Sequence, residues 1–282
     1  MIRVGLVGTG YWAREVHAAG LDAHPDVDFA GMWGRDSDYE ARFAEVDAVA
    51  FAVPPAVQAE LALRAARAGK HLLLEKPIAL DLAAADRLVE AVQEAGVSSL
   101  VFFTQRFVPA WEQWLTEVAA TRPQGGRADW LSAQAGSDSP YAGSVWRQEH
   151  GALWDVGPHQ LAQLMTALGP VADVVGVPGA GDLVHLVLTH EGGATSRMSL
   201  SLTMPPGTTR ISVEFYGENG WLAQPEHTRD VHDAYANAVT ELVANIEAGE
   251  SRHRVDVRFG REVVEVLTRA ERALAERRHG AR

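Results

Sequence analysis

The sequence predicts an α/β domain built on a doubly wound parallel sheet, followed by an α+β domain with a large mixed or antiparallel sheet. Three observations predict this fold class. Short apolar runs alternate with helical patterns through the first half, a Pro-Gln-Gly-Gly segment at 123–126 marks a change of pattern, and strand-like stretches dominate after it. We therefore expect one domain over residues 1–122 and a second over residues 123–282, which a chain of 282 residues permits.

The composition limits the classes of function. A formal net charge of −12 argues against a nucleic-acid partner, because proteins that bind the phosphate backbone carry an excess of lysine and arginine. The chain contains no cysteine, which excludes disulfide bonds and thiolate metal sites. It shows no signal peptide and no apolar run long enough to span a membrane. We expect a cytoplasmic protein that acts on a small molecule, without a membrane partner.

The first strand ends in a glycine turn. The apolar run Ile2–Val7 is followed by Gly8-Thr9-Gly10-Tyr11-Trp12-Ala13, and a helical pattern continues to about Asp22. The first glycine permits the turn, the second allows a pyrophosphate to approach the backbone, and the small Ala13 permits close packing of helix and strand. This pattern is typical of dinucleotide-binding domains. The alternative interpretation is an ordinary strand-to-helix turn.

The second strand, Val27–Trp33, should place an acidic residue near its end to bind the adenosine ribose. Gly34 and Arg35 follow it instead. The absence of a carboxylate removes the repulsion of a 2′-phosphate, and Arg35 could bind one through two parallel hydrogen bonds, which favours NADP over NAD. In the alternative interpretation, Arg35 is a solvated loop residue and Asp36 binds the ribose.

The segment Asp36–Glu45 is too short for the usual helix and third strand. The third strand normally lies at the edge of the sheet, so its loss shortens the sheet without opening its centre. We therefore predict a sheet trimmed at the third-strand edge, beside the adenosine end of the cofactor. The next strand is Val46–Val53, closed by Pro54.

A lysine follows the next buried strand. A helix predicted to end with Gly69 as its C-cap is followed by the strand Lys70–Leu74 and then by Glu75-Lys76-Pro77. Ligands of open α/β sheets bind beyond the carboxyl ends of the strands. This position makes Lys76 a candidate for chemistry.

The last strand of the first domain ends at the same predicted edge. A helix leads to the strand Val97–Phe103, and Arg106 follows that strand. Because the strands are predicted to be parallel, Arg106 should border the same crevice as Gly10, Pro54 and Lys76.

The second half shows strand patterns followed by helical ones. After a helix near Pro109–Ala120, strands are predicted near Ala128–Ala135, Val171–Val177, Asp182–His190, Ala194–Met204 and Thr209–Tyr216. Two helices, about Val231–Ala248 and Arg258–Arg278, are expected to pack on the core face of this sheet.

Candidate reactive side chains lie in the segment Trp146–His159. If a helix begins near its end, Asp155 and His159 stand four residues apart on one face. In the alternative interpretation, Asp155 is a helix N-cap before Pro158 and His159 is a structural residue. A metal site of His150, Asp155 and His159 matches no usual ligand spacing, so we expect no metal.

Together these features resemble the Gfo/Idh/MocA family of oxidoreductases. The landmarks are, in order, the glycine turn, Glu75-Lys76-Pro77, Trp146-Arg147 and Asp155-Val156-Gly157-Pro158-His159. The resemblance spans nearly the whole chain. It implies an N-terminal Rossmann domain that binds NAD or NADP, and a C-terminal α+β domain that closes over a sugar, cyclitol or related polyol.

The resemblance also implies site residues. Lys76, Asp155 and His159 match the family's catalytic trio, and the active site is expected where the two domains meet. Gln58 stands where a histidine is common in the family, and Ala162 replaces a frequent aspartate. Cofactor contacts are expected at Gly8, Thr9, Gly10, Tyr11, Trp12, Gly34, Arg35, Val53, Pro54, Gln58, Glu75, Lys76, Arg106, Trp146 and Arg147.

The resulting hypothesis is an oxidoreductase that moves a hydride between a nicotinamide and a carbinol or carbonyl carbon. His159 takes or gives the proton, Lys76 stabilises the oxyanion and positions the nicotinamide ribose, and Asp155 orients substrate hydroxyls or the imidazole. Two alternatives stay open. One is a regulatory protein that senses the dinucleotide without catalysis, and the other is a redox-assisted lyase or glycosidase that holds its cofactor tightly.

The C-terminal sheet is also expected to form an oligomer, as it often does in this family. One face carries Ser199, Ser201, Thr203 and Ser212 and is predicted to be uncharged apart from Glu214. We predict a homodimer or homotetramer through this face. The alternative is an ordinary solvated sheet face.

Overall fold

The computed structural model describes residues 1–134, 144–205, 207–226 and 230–280, which form two compact units. Unit 1 consists of Met1–Val108 and Arg229–Val264, and unit 2 consists of Pro109–Thr228 and Glu265–Arg282. This division differs from a single cut after residue 122, because residues 229–264 pack with the N-terminal segment. In the described ranges, no helix combines the length and the apolar composition needed to cross a bilayer.

Unit 1 contains a five-stranded parallel sheet in the order β2-β1-β3-β4-β5. Its central strands are buried apolar segments, as expected for a parallel sheet covered on both faces. In the described part of the chain the sheet ends at β2, which confirms the predicted trimmed edge. The strands are β1 Ile2–Val7, β2 Val27–Trp33, β3 Ala48–Phe51, β4 His71–Leu74 and β5 Ser99–Val101.

Helices alternate with these strands. A short π-helical segment, Ala13–Ala18, continues as α1, and the trimmed connection after β2 still accommodates the short α2. The Asp81 side chain caps α4 by accepting a hydrogen bond from the backbone N–H of Ala84. Gly69 was predicted as the C-cap of α3, but Ala68 is the C-cap and Gly69 follows it with φ +74°. The helices are α1 Ala19–Ala23, α2 Tyr39–Ala44, α3 Pro55–Arg67 and α4 Leu82–Ala95.

Unit 2 is built on a six-stranded mixed sheet in the order β11-β10-β6-β9-β8-β7. β6 and β9 are parallel, and the other neighbouring pairs are antiparallel. The largely buried helix α7 packs on β6 and β9. The elements are α5 Pro109–Ala120, β6 Gly125–Leu131, α6 Val145–Asp155, α7 Gly157–Leu168, β7 Val171–Pro178, β8 Val184–His190, β9 Thr195–Ser201, β10 Arg210–Gly217 and β11 Gly220–Ala223. Ala135, the predicted end of the first of these strands, lies outside the described residues.

The first C-terminal helix does not pack where it was predicted. Helix α8, Val231–Glu247, contacts α1, β4 and β5 of unit 1 rather than the C-terminal sheet. Its Tyr235 ring is fully buried, with its centroid 4.4 Å from that of His17 and 5.1 Å from that of Phe102. Helix α9, Val257–Gly280, begins in unit 1 and ends in unit 2.

The outer face of the C-terminal sheet is more charged than predicted. Arg127 forms an ion pair with Glu214 at 2.5 Å, and Arg210 forms one with Asp129 at 3.4 Å. The expectation of a face uncharged apart from Glu214 is therefore wrong. Arg127 and Asp129 were missed because β6 is a neighbour of β10 in the sheet but distant in sequence, whereas Arg210 lies on β10 itself, two residues before Ser212.

Candidate active site

The five strand ends of unit 1 bring most of the predicted cofactor-binding residues to one edge. Because all five strands are parallel, the segments that follow them emerge at the same side of the sheet. These segments are Gly8–Trp12 after β1, Gly34–Arg35 after β2, Val53–Pro54 after β3, Glu75–Lys76 after β4 and Arg106 after β5.

The glycine turn has the geometry that a dinucleotide requires. Gly8 has φ +137°, and a Cβ atom there would lie 2.5 Å from the carbonyl oxygen of Ala52. A Cβ on Gly10 would meet no atom within 4 Å, so the turn leaves open space where the fingerprint places a pyrophosphate. The Arg14 guanidinium donates to the carbonyl oxygen of Thr9 at 2.6 Å. The turn therefore fits a dinucleotide.

The segment after β2 is open to solvent at Arg35. The Tyr39 hydroxyl donates to the carbonyl oxygen of Gly34 at 2.8 Å and fixes the backbone before Arg35. Burial raises the pKa of Tyr39 above its ordinary value, while the positive charges of Arg64 and Arg35 oppose this rise. Tyr39 is thus a neutral donor at physiological pH.

The Glu75 side chain forms hydrogen bonds with residues of the glycine turn and the helical segment after it, and with the backbone of Lys76. Its Oε1 accepts hydrogen bonds from the indole of Trp12 at 2.6 Å and from Nε2 of His17 at 2.9 Å. Its Oε2 accepts from the backbone N–H of Lys76 at 3.2 Å. Both carboxylate oxygens are therefore used inside the protein. His17 was not singled out from the sequence, although a histidine on the apolar face of the first helix was a possible signal.

The ionised state of Glu75 makes stability depend on pH. Burial raises the pKa of Glu75, but the hydrogen bond and charge of His17, the charge of Lys76 and the hydrogen bond from Trp12 together hold it below its ordinary value. The folded state thus binds this proton less tightly than the unfolded chain, in which the pKa of a glutamate is about 4.3. The resulting stabilisation is present above that pKa and is lost as the pH falls through the folded pKa.

We therefore expect Glu75→Gln to lower the thermal unfolding midpoint at neutral pH. Below about pH 4 the midpoint of the variant should approach that of the wild type. Differential scanning calorimetry across pH measures the gap between the two midpoints. Glu60→Gln is the matched control, because the Glu60 carboxylate is 74% exposed. A gap that stays constant with pH would show that Glu75 is not the ionised group assumed here.

Two predicted cofactor contacts have other partners. The Gln58 side chain is fully buried and bonds to the backbone of Glu75 and Pro77. Arg106 is only 2% exposed, and its guanidinium lies over the Phe259 ring at 5.9 Å. Direct cofactor contacts by Gln58 and Arg106 stay predictions, and the burial of both side chains points to internal roles.

In unit 2, the predicted catalytic aspartate pairs with a predicted cofactor contact. Nε of Arg147 donates to Oδ2 of Asp155 at 3.1 Å, and the same guanidinium lies over the Trp146 ring at 4.8 Å. Gly151 lies between them in α6 with φ +61° and ψ −159°, a conformation open to glycine alone. The kink at this glycine accompanies the contact between Arg147 and Asp155.

Asp155 and His159 lie on consecutive helices rather than on one. Asp155 is the last residue of α6, and the N-cap of α7 is Val156, so the alternative in which Asp155 caps this helix is wrong. His159 is 8% exposed, and its ring stacks on Trp130 of β6 with centroids 5.4 Å apart. In the described ranges, no three side chains of metal-binding type form a group that could hold an ion.

Comparisons with known families match both halves of the chain. Residues 36–103 match the model of an oxidoreductase family with an NAD-binding Rossmann fold. Residues 123–223 match the model of the GFO/IDH/MocA C-terminal domain.

Individual proteins of known name are also similar to this chain. It is 30% identical over 253 residues to dTDP-3,4-didehydro-2,6-dideoxy-alpha-D-glucose 3-reductase from Actinomadura kijaniata, covering 78% of this chain and 74% of the relative. It is 24% identical over 300 residues to inositol 2-dehydrogenase from Rhizobium meliloti strain 1021, covering 88% and 89%. The solved structure of UDP-N-acetylglucosamine 3-dehydrogenase GnnA from Acidithiobacillus ferrooxidans superposes with a TM-score of 0.81 at 22% identity, covering 97% of both chains. At this identity the superposition shows the shared fold alone.

Proposed function

Because the chain belongs to the Gfo/Idh/MocA oxidoreductase family, we propose that it transfers a hydride between NAD(P) and a carbinol or carbonyl carbon of a sugar, cyclitol or related polyol. The observation that carries this proposal is the carboxyl-terminal edge of the parallel sheet in unit 1, where the glycine turn follows β1 and Lys76 follows β4. Relatives named for inositol and nucleotide-sugar substrates support the substrate class.

The cofactor would be held by the backbone of Gly8–Trp12 at its pyrophosphate and by the segments after β2 and β3 at its adenosine end. When bound, its nicotinamide ring accepts or donates the hydride. The protein must supply the remaining chemistry, which is the removal of the hydroxyl proton and the stabilisation of charge on the carbinol oxygen.

Three side chains are proposed for these tasks. The His159 imidazole takes the hydroxyl proton or returns it, and the stack on Trp130 holds the ring plane. The Lys76 ammonium stabilises negative charge on the carbinol oxygen. The Asp155 carboxylate, held by Arg147, orients substrate hydroxyls. Lys76 belongs to unit 1, and Asp155 and His159 belong to unit 2.

A substrate panel tests the proposal. Purified protein is incubated with NADP⁺ or NAD⁺ and a set of sugars, cyclitols and polyols, and absorbance at the reduced-nicotinamide band is followed. The reverse direction uses the corresponding keto compounds with reduced cofactor. We expect turnover with at least one member of the set. Cofactor binding without turnover in either direction would instead favour a dinucleotide sensor.

We also propose that NADP is preferred over NAD. The segment after β2 carries the exposed Arg35 where a ribose-binding acid is usual, and an arginine can bind a 2′-phosphate through charge-assisted hydrogen bonds. Hydrogen bonds to charged groups correspond to about 10- to 100-fold in affinity. We expect Arg35→Ala to weaken NADPH binding by about this factor and to leave NADH binding nearly unchanged.

Isothermal titration with both reduced cofactors measures this difference. Arg67→Ala is the matched control, because it removes an exposed arginine at the carboxyl end of α3. Equal or tighter binding of NADH by the unmodified protein would overturn the preference.

We propose an oligomer through the outer face of the C-terminal sheet, at β7 and β8 rather than at the predicted Ser199 and Ser201, which are buried within the chain. Val175 and Val187 are paired across these strands and are 41% and 52% exposed, and Val177 is 48% exposed. Burying such a patch between copies would remove apolar surface from water. We expect a dimer or tetramer of the 30.5 kDa chain by light scattering, and dissociation in Val187→Asp. Val57→Asp, on an exposed position of α3, should keep the oligomer. A monomer mass for the unmodified protein at micromolar concentration would contradict this interface.

A further inference from the structure

The side chain of Gln58 contacts the backbone on both sides of Lys76. Its Oε1 accepts a hydrogen bond from the backbone N–H of Glu75 at 2.8 Å. Its Nε2 donates to the carbonyl oxygen of Glu75 at 2.7 Å and to that of Pro77 at 3.2 Å. Gln58 itself is fully buried, so its carboxamide is shielded from solvent.

These bonds begin where the sheet ends. The last paired residues of β4 are Leu73, opposite Ala50 of β3, and Leu74, opposite Val101 of β5. Glu75 therefore lies beyond the pairing of β4 with its neighbours. A carboxamide is the side-chain counterpart of a peptide group, with one acceptor oxygen and two N–H donors. In this position Gln58 takes the place of a neighbouring strand for Glu75.

The backbone of Gln58 is fixed by the first turn of α3. Its backbone N–H donates to the carbonyl oxygen of Pro54 at 2.9 Å, in the first turn of α3. The segment after β3 is thereby connected to the segment after β4. Both neighbours of Lys76 along the chain are held by one side chain, and Glu75 also bonds to the Lys76 N–H.

We propose that Gln58 is a positioning residue for Lys76. The Gln58 carboxamide extends the hydrogen bonding of β4 past its last paired residue and fixes the backbone that carries the Lys76 side chain. The proposal rests on the proposed catalytic role of Lys76. It assigns Gln58 to the orientation of the lysine rather than to contact with the cofactor, and it explains why a polar side chain is buried at this strand end.

The lysine content of the chain makes a direct test possible. The sequence contains two lysines, Lys70 and Lys76, so protein made with ¹³C-labelled lysine gives two sets of lysine side-chain resonances by NMR. Lys70→Arg assigns them. Lys70 lies before β4 and Lys76 after it, so the Lys70 resonance is an internal reference at the opposite end of the strand.

Gln58→Met is the main variant, because methionine has a similar length but offers no donor. We expect the Lys76 resonance to shift and broaden in the cofactor-free protein while the Lys70 resonance stays in place. We expect kcat to fall by about 10- to 100-fold, as misplacement of a reacting group does, while the Kd for NADPH changes by less than about threefold. Gln58→His, which keeps one donor and one acceptor, should lie between wild type and Gln58→Met on both measures.

Ser98→Ala is the control for the loss of a buried hydrogen bond elsewhere in unit 1. Ser98 is 2% exposed, donates to the carbonyl oxygen of Glu250 at 2.6 Å, and lies at the amino end of β5. We expect it to leave the Lys76 resonance and kcat unchanged. An equal effect of Ser98→Ala on that resonance, or an unchanged Lys76 resonance in both folded Gln58 variants, would overturn the proposal.

The outcome also separates this proposal from the catalytic one. If Gln58→Met moves the Lys76 resonance but Lys76→Met keeps full turnover, the positioning contact stands and the catalytic role of Lys76 fails. If Lys76→Met abolishes turnover but no Gln58 variant moves the resonance, the catalytic role stands and the positioning proposal fails.

Discussion

Replacing Lys76 with methionine is expected to lower kcat by at least about 100-fold, because general acid–base and oxyanion assistance is commonly worth 10²- to 10⁴-fold. Methionine keeps the length of the side chain and removes the charge that the carbinol oxygen requires. The Kd for the reduced cofactor should change much less, since the backbone of the glycine turn is untouched. Steady-state kinetics combined with titration of NADPH separates the two effects.

Lys70→Met is the matched control, because Lys70 is the other lysine of the chain and lies at the opposite end of β4. It should leave kcat within about threefold of wild type. A Lys76→Met protein with kcat inside the same range would remove Lys76 from the proposed mechanism.

His159→Gln is expected to reduce kcat by a similar factor of at least about 100, because glutamine cannot take up the hydroxyl proton. Glutamine keeps a polar side chain of related size beside Trp130, and calorimetry reports separately on any loss of packing. Turnover in the direction of alcohol oxidation is the measurement, since that direction requires proton removal.

His185→Gln is the control for this variant. His185 lies on the outward face of β8 and bonds to the Ser199 hydroxyl at 3.0 Å. It belongs to the same unit as His159 and should keep normal turnover. Wild-type kcat in a folded His159→Gln protein would exclude the imidazole as the proton acceptor.

Much of unit 1 could be predicted because its signals are local. The strands β1 and β2 begin and end where their apolar runs do. Gly8 marks a strand end because glycine can adopt a positive φ, and Pro54 marks one because proline fixes φ and has no backbone N–H. The position of Lys76 at the carboxyl-terminal edge of the sheet follows from the alternation of strands and helices, because this pattern makes the strands parallel and brings their carboxyl ends to one edge. The trimmed edge followed from counting the residues available between two strands.

The contacts around Lys76 could not be predicted in this way. Gln58 reaches Glu75 across 17 positions of sequence, and His17 reaches it across 58. Such pairs depend on how helices pack on a sheet, and no periodicity in a single segment encodes them. His17 therefore looked like an ordinary helix residue, and Gln58 was predicted as a cofactor contact rather than as a partner of the Glu75 backbone.

In unit 2, too, some features could not be predicted from local sequence patterns. Asp155 and His159 were expected on one helix, but the helix is interrupted at Val156 and the aspartate pairs with Arg147 across the Gly151 kink. A glycine inside a helical pattern permits a kink but does not require one, so Gly151 alone did not predict this break. The mistaken place of α8 has a related cause, because an amphipathic helix does not specify which sheet its apolar face covers.

The placement of α8 has a consequence for how the protein is made. Residues 1–108 are synthesised first, yet they lack Tyr235 and the rest of the segment up to Val264 that completes unit 1. Until that segment leaves the ribosome, the rings of His17 and Phe102 have no Tyr235 to cover them. The dinucleotide-binding half is therefore finished late in translation, after the residues 109–228 of unit 2 have already emerged. A shortened gene that stops after the fifth strand would encode all five strands of the parallel sheet but not helix α8, whose Tyr235 ring covers His17 and Phe102.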